Sequence, residues 1–294
     1  MTRKTAADFD PEVLKLFDQY VHGGISRREF LSSASRYAVG GATAASLLTA
    51  LSPSFAAPVV EKDDKRIHAK FVDYPSPQGY GTVRGYLVTP ANVKGKLPLV
   101  LVVHENRGLN PHIEDIARRL AADGFIAFAP DALTPLGGYP GDEDKARAEF
   151  AKLDPAKTRA DFVAAAKWLH GHPDGNGKLG VVGFCVGGGI ANYLATQLPE
   201  LAAAVPFYGP QPAASDVPRI KAPLLIHDAG NDQRILAGWP AYEAALKEAG
   251  VKYEHYTYPA VEHGFNNDTT PRYDAAAAKL AWQRTVDFFK SKLA

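Results

Sequence analysis

Leu97–His104 reads Leu-Pro-Leu-Val-Leu-Val-Val-His, a nearly unbroken apolar run. A strand can be apolar on both faces only if both faces are covered. Comparable short runs recur at Phe125–Ala129, Lys178–Phe184, Ala202–Phe207 and Pro223–His227, with a further strand at Tyr253–Tyr258. Between them lie segments with apolar residues at helical spacing: Ile113, Ile116, Ala117, Leu120 and Ala121, closed by Gly124, then Glu143–Leu153, Ala156–His170, Val186–Gln197, Trp239–Ala249 and Ala275–Lys292. Lys70–Tyr74 and Thr82–Thr89 open the series as two strands joined by the turn Ser76-Pro77-Gln78-Gly79. Strands alternating with helices predict an α/β fold, a mainly parallel sheet with helices on both faces. Ligands of such sheets bind beyond the carboxyl ends of the strands, so chemistry is expected just after each one.

Lys and Arg (33) nearly balance Asp and Glu (32), so no basic field points to nucleic acid. One cysteine among 294 residues excludes an intrachain disulfide and a multi-cysteine metal site. That cysteine lies in Gly183-Phe184-Cys185-Val186-Gly187-Gly188-Gly189, where a buried strand should pass into a helix. This is the pattern of a nucleophile elbow, with cysteine in the place more often held by serine. Gly183 and Gly187 supply the lack of bulk that so tight a turn requires. The helix N-terminus favours a thiolate, and the Val186 N–H is expected to donate to an oxyanion. A lone cysteine is more commonly a small buried apolar residue, but that reading leaves the flanking glycines without a reason.

An elbow nucleophile needs an imidazole base and a carboxylate to orient it, which follow it in the order acid, then histidine. His263, in Glu262-His263-Gly264-Phe265 after the last strand, is the expected base. Asp228 and Asp232 both follow the strand Pro223–His227. The turn Gly230-Asn231-Asp232 favours Asp232, with Asp228 as the alternative. The other histidines have plainer readings: His22 falls in the N-terminal segment, His68 near the start of the following domain, His170 and His172 in a polar loop, and His255 within a strand. His170-Gly171-His172 lacks the i, i+4 spacing and companion ligands of a zinc site, so no metal is expected. After the strand ending at His104, Glu105-Asn106-Arg107-Gly108-Leu109 is expected to give the second oxyanion donor through the Asn106 N–H.

On His104-Glu105-Asn106-Arg107-Gly108, Gly183-Phe184-Cys185-Val186-Gly187-Gly188, Gly230-Asn231-Asp232 and His263-Gly264-Phe265, the chain resembles the dienelactone hydrolase (carboxymethylenebutenolidase-like) family over roughly Val72 to Lys292. The resemblance implies an eight-stranded α/β-hydrolase fold, a Cys-His-Asp triad of Cys185, His263 and Asp232, no cofactor, and a small ester or lactone substrate. It also implies that Glu105 contacts the resting cysteine. Family members that cleave dienelactone are similar in having an arginine shortly after the catalytic histidine. Here Gly264-Phe265-Asn266-Asn267 follows, with no arginine before Arg272. Arg107, Arg234 and Phe265 are the candidate substrate contacts in its stead. Two other classes of function fit the same fold: a thiol redox sensor based on Cys185, and a binding protein without turnover.

Residues 1–56 read differently. Arg27-Arg28 precedes an uncharged run of small and apolar residues from Tyr37 to Leu51, followed by Ser54-Phe55-Ala56. The order resembles a twin-arginine export signal cleaved after Ala56, which implies passage through the twin-arginine translocase to the periplasm. The segment before the arginine pair is long and helical in pattern, Pro11 to His22, so a cytoplasmic N-terminal helical arm is the alternative. Residues 57–294 then form the catalytic domain.

Overall fold

A computed structural model of the chain describes residues 4–39, 41–55, 57–92 and 94–294. Ala56, after which cleavage is expected, lies outside the described residues. The elements, in chain order, are α1 (Pro11–Val21), α2 (Arg27–Ala34), α3 (Ala44–Leu51), β1 (Ile67–Ser76), β2 (Gly81–Pro90), β3 (Leu97–Val103), α4 (Pro111–Ala122), β4 (Ile126–Pro130), α5 (Glu143–Phe150), α6 (Pro155–His170), β5 (Gly175–Phe184), α7 (Val186–Gln197), β6 (Ala203–Phe207), β7 (Leu224–Ala229), α8 (Gln233–Leu236), α9 (Trp239–Glu248), β8 (Tyr253–Tyr258) and α10 (Ala275–Leu293).

The eight strands form one sheet in the order β1-β2-β4-β3-β5-β6-β7-β8. β1, β2 and β4 pair antiparallel, and every pairing from β4 through β3 to β8 is parallel. Alternation along the central strands divides the core in two. Val100, Val102, Val182, Phe184, Val205 and Phe207 pack with Ile113, Ile116 and Leu120 of α4 and Phe288 and Phe289 of α10. Leu99, Leu101, Val103, Val181, Ala204 and Ile226 pack on the other face with Phe162 of α6, Leu194 of α7 and Leu246 of α9. The apolar runs are therefore unbroken because both faces are covered. Helix boundaries follow local chemistry. Asn110 caps α4 by accepting from the Ile113 N–H with Pro111 in the first turn, and Gly124, at φ +101°, ends that helix region.

The parallel register aligns the carboxyl ends that carry the chemistry. Val103 pairs with Gly183, Phe184 with Phe207, Phe207 with His227, and Ala229 with Tyr258. The segments after β3, β5, β6, β7 and β8 thus emerge along one edge.

The N-terminal segment has its own small core. α1 starts at the Asp10 cap with Pro11 next to it, and α2 starts at a Ser26–Glu29 capping box. Arg27 and Arg28 thus open α2. Val13, Phe17, Tyr20 and Val21 of α1 pack with Phe30 and Ala34 of α2 and Leu48 and Leu51 of α3. The uncharged run from Tyr37 contributes the short α3, and among the described residues no helix is long and apolar enough to cross a membrane. This helical arm is fastened to the body by polar contacts. The Tyr20 hydroxyl donates to Asp144 at 2.6 Å, Arg27 pairs with Asp144 at 2.8 Å, and the Ser54 N–H donates to the Thr269 carbonyl at 2.8 Å. The Arg147 guanidinium lies 4.2 Å from the centre of the Tyr20 ring.

Candidate active site

Cys185 sits between β5 and α7 at φ +55°, ψ −119°, a conformation that non-glycine residues adopt only where the surroundings impose it. The surroundings do impose it. A Cβ on Gly183 would come within 2.0 Å of the Gly187 carbonyl oxygen, and a Cβ on Gly187 within 2.4 Å of the Val103 carbonyl oxygen. Strand, turn and helix meet so closely that only glycine fits at either position. The Cys185 N–H donates to the Phe207 carbonyl at 3.1 Å, locking the turn to β6. Val186 begins α7, so its N–H has no acceptor within the helix and remains beside the sulfur.

His263 and Asp232 come together beside this turn. The His263 Nδ1–H donates to Asp232 Oδ2 at 2.5 Å, and both residues are buried. Asp232 also caps α8 through the Ile235 N–H at 3.3 Å. Asp228, the alternative acid, is engaged elsewhere, with His255 Nε2 at 3.0 Å. With Nδ1 occupied by Asp232, Nε2 of His263 has no hydrogen-bond partner and is the nitrogen left for the thiol.

A second imidazole stands on the same sulfur. His22, which ends α1, has Nε2 3.4 Å from Cys185 Sγ. Its Nδ1–H donates to the Asp18 carbonyl oxygen at 2.7 Å, with the Asp18 carboxylate at 3.2 Å. The His22 and His263 rings meet edge to face, centres 4.7 Å apart. Arg234 Nη2 lies 3.3 Å from both His22 Nε2 and His263 Nδ1. Asp18 is pinned in turn by Arg272 at 3.4 Å.

The electrostatics follow from this crowding. Burial pushes the Cys185 thiol up, but the charge of His263 and the hydrogen bond and charge of His22 outweigh it and bring the thiol down to about 5. Burial opposes the charging of His22, yet the hydrogen bond to Asp18 and the contact with Cys185 raise it to about 9. His263 is raised as well, against burial, by the Cys185 charge and the Asp232 hydrogen bond. Asp232 is held low, against burial, by its bond to His263. The site thus favours a thiolate at Cys185 beside a protonated His22, with Asp18 and Asp232 each backing one of the two rings.

The remaining expected site residues are distributed around this centre. Glu105 is buried and its carboxylate accepts from the Asn267 side-chain amide at 2.9 Å. Burial raises it, but the positive field of His112, Arg107 and Arg272 keeps it below its ordinary value. The side-chain amide of Asn106 donates to the Val21 carbonyl at 2.7 Å, tying the loop after β3 to the end of α1. Arg107 is buried against Glu143 at 3.0 Å. Phe265 is fully buried beside Tyr208 and Tyr258 and belongs to the core, not to the cleft lining. Arg234 does line the cleft.

That cleft, about 450 Å³, opens over Cys185 and is lined by Val21, His22, Asn106, Arg147, Phe150 and Arg234 among others. A larger groove of about 680 Å³ shares Phe150, Ala151, Val186 and Pro210 with it and runs on between α6 and α7. His263 faces a separate cavity of about 370 Å³ with Leu14, Asp18 and Arg272. Sequence reasoning passed over His22, Asp18 and Arg147. The available signal was Asp18 four residues before His22, an i, i+4 carboxylate–imidazole pair at the end of an amphipathic helix. Among the described residues, one nitrogen each of His22 and His263 and Cys185 Sγ are the one group of ligand atoms close enough to hold a metal ion, all within 4.8 Å of one another.

Comparison with known proteins adds an independent line. The model of the dienelactone hydrolase family matches residues 83–293, and a model described as YqhI-like matches residues 1–40. The chain is 34% identical over 250 residues to a "Putative carboxymethylenebutenolidase" of Escherichia coli (strain K12), covering 80% of this chain and 91% of that one. It is 56% identical over 114 residues to the "Putative hydrolase fragment YghX" of the same organism, covering 38% of this chain and 97% of the fragment. The crystal structure of a "Putative Dienelactone Hydrolase" from Klebsiella pneumoniae subsp. pneumoniae MGH 78578 matches with a TM-score of 0.67 at 30% identity, covering 76% of this chain and 99% of that one. That structure is thus used up almost entirely while roughly a quarter of this chain is left without a counterpart.

Proposed function

Because the chain belongs to the dienelactone hydrolase family and is a hydrolase of that type, we propose that it cleaves a small carboxylic ester or lactone by acyl transfer through Cys185. The observation that carries this reading is the strained elbow cysteine beside a histidine whose Nδ1–H donates to Asp232 at 2.5 Å. The thiolate attacks the carbonyl carbon. The N–H groups of Val186 and Asn106 receive the oxyanion, and the carbon–oxygen bond of the ester breaks as a thioester forms. The alkoxide departs with a proton from an imidazolium of the site. His263, oriented by Asp232, then takes a proton from water, whose oxygen attacks the thioester, and the carbon–sulfur bond breaks to restore the thiolate.

Arg147 and Arg234 line the cleft and are the cations available to a substrate carboxylate. They stand in for the arginine absent after His263. The test is hydrolysis of p-nitrophenyl acetate, an alkyl ester, a neutral lactone and a dienelactone by the wild type and by Cys185→Ala. We expect turnover to fall by about 10³-fold or more in the variant on every substrate the wild type cleaves. Full turnover in Cys185→Ala would overturn the reading. No turnover by the wild type, with the thiol shown to be reduced, would favour a sensor or a binding protein.

A further inference from the structure

The histidine that lines the cleft is not the triad histidine. A substrate lying over Cys185 has His22 on its wall, whereas His263 faces a different cavity. His22 also has the parts of a proton donor. Nε2 points at the reacting sulfur at 3.4 Å, and Nδ1 is fixed by Asp18. The ring is held in place from both sides, because the Asn106 amide donates to the Val21 carbonyl next to it and Arg272 secures Asp18. One sulfur needs only one base, so the second imidazole is free for the other proton transfer of the cycle.

We propose that His22, carried into the site by the N-terminal arm, is a catalytic acid that protonates the leaving alkoxide of the substrate. The assignment rests on the reading of Cys185 as the nucleophile. As the tetrahedral intermediate collapses, the carbon–oxygen bond breaks and its electron pair stays on the alkoxide oxygen. The Nε2–H proton of His22 passes to that oxygen, giving the alcohol and leaving His22 neutral. His263 is neutral through this step; in deacylation it takes a proton from water as the water oxygen attacks the thioester, and passes that proton to His22 as the thiolate leaves, so ester plus water yields acid plus alcohol. The groups facing His22 are Asp18 on its own helix, Cys185 from the elbow, His263 from the segment after β8 and Arg234 from α8. The family model covers residues 83–293, so His22 lies outside the part of the chain that it matches. A chain cleaved after Ala56 would lack it.

A donor to the leaving group has a signature that a structural role lacks. p-Nitrophenolate leaves without help, but an alkoxide needs a proton. In the full-length chain, His22→Gln should lower kcat/KM on an ethyl ester or a lactone by about 10²-fold or more. At a pH where alkylation shows the Cys185 thiol ionised in wild type and variant alike, turnover of p-nitrophenyl acetate should fall less than about 5-fold, since general-acid help is worth little for so acidic a leaving group. In His22→Ala, added imidazole should restore part of the alkyl-ester turnover, while the enzymic turnover of the p-nitrophenyl ester, after subtraction of the hydrolysis that imidazole catalyses alone, should not change. Equal losses on both esters would overturn the donor role, and so would no loss on either. Cys185→Ala, measured alongside, separates the two claims. If it is inactive while His22→Gln behaves as wild type, this inference fails and the nucleophile stands. If it is active, the nucleophile itself is wrong.

Discussion

The catalytic body and the N-terminal arm each bring a histidine–carboxylate pair to the same sulfur, but they hold it by different means. In the body, Asp232 and His263 follow adjacent parallel strands, β7 and β8, whose register is set by a sheet covered on both faces. Their 2.5 Å contact depends on a core of dozens of buried side chains. In the arm, Asp18 and His22 are one helical turn apart on α1, and the pair is local to that helix. What brings it to Cys185 is a small apolar cluster around Phe17, Tyr20 and Phe30 and a few polar ties to Asp144, Arg272 and Asn106. The difference teaches that a site can combine a half placed by long-range sheet register with a half placed by one helix and the contacts that dock it.

The largest expected contrast comes from the carboxylates. Asp232→Asn leaves His263 in the wrong tautomer and should lower kcat on p-nitrophenyl acetate by about 10³-fold or more. Asp18→Asn, which removes a contact shared with a backbone carbonyl, should cost about 10-fold on alkyl esters and little on p-nitrophenyl acetate. Comparable losses in the two variants, read from steady-state kinetics, would erase the distinction between the halves.

Phe17→Ala probes the docking half directly. Truncating a buried phenylalanine typically costs about 3–5 kcal/mol, which the small arm core is poorly placed to absorb. Limited proteolysis should then cut the arm first, while the thermal transition of the sheet stays close to that of the wild type. If the two parts instead melt together at a lower temperature, the arm is an integral piece of one cooperative unit.

The smallest effect sharpens the comparison through pH. Against burial, the docked pKa of His22 is raised to about 9 by Asp18 on its own helix and by Cys185, and since only the Cys185 contact depends on docking, the docked arm binds the proton more tightly than the free arm. The contribution of that proton to docking is therefore full below the pKa of the free arm, declines above it and is lost as pH passes about 9. Proteolytic sensitivity of the arm should rise over that window. The Cys185 thiol is depressed to about 5, so alkylation by iodoacetamide should remain fast down to about that pH and fall below it. In His22→Gln the lower limb of that alkylation profile should move upward.

The body was legible in the sequence to an unusual degree for physical reasons that particular residues make plain. Leu97–Val103 must be a doubly covered strand because nothing else accommodates so many adjacent apolar side chains in so short a run. The glycines around Cys185 mark a turn because two backbones pass within contact distance there. The turn Gly230-Asn231-Asp232 favours Asp232 over Asp228, and in the fold Asp228 is still within β7 and meets His255 while Asp232 lies beyond it and meets His263. His22 was set aside as part of an N-terminal segment. No local pattern in residues 11–22 states that the end of that helix meets a thiol 163 positions later.

By itself the sequence determined the alternation of strands and helices, the tight turn at Cys185 and the placing of Asp232 and His263 after successive strands, because each is written in local spacing and side-chain size. Only the tertiary structure decided which imidazoles share the sulfur, which arginines line the cleft and where the arm rests. Those are meetings between surfaces far apart in the chain, and they are fixed by packing and charge complementarity that no short window of residues contains.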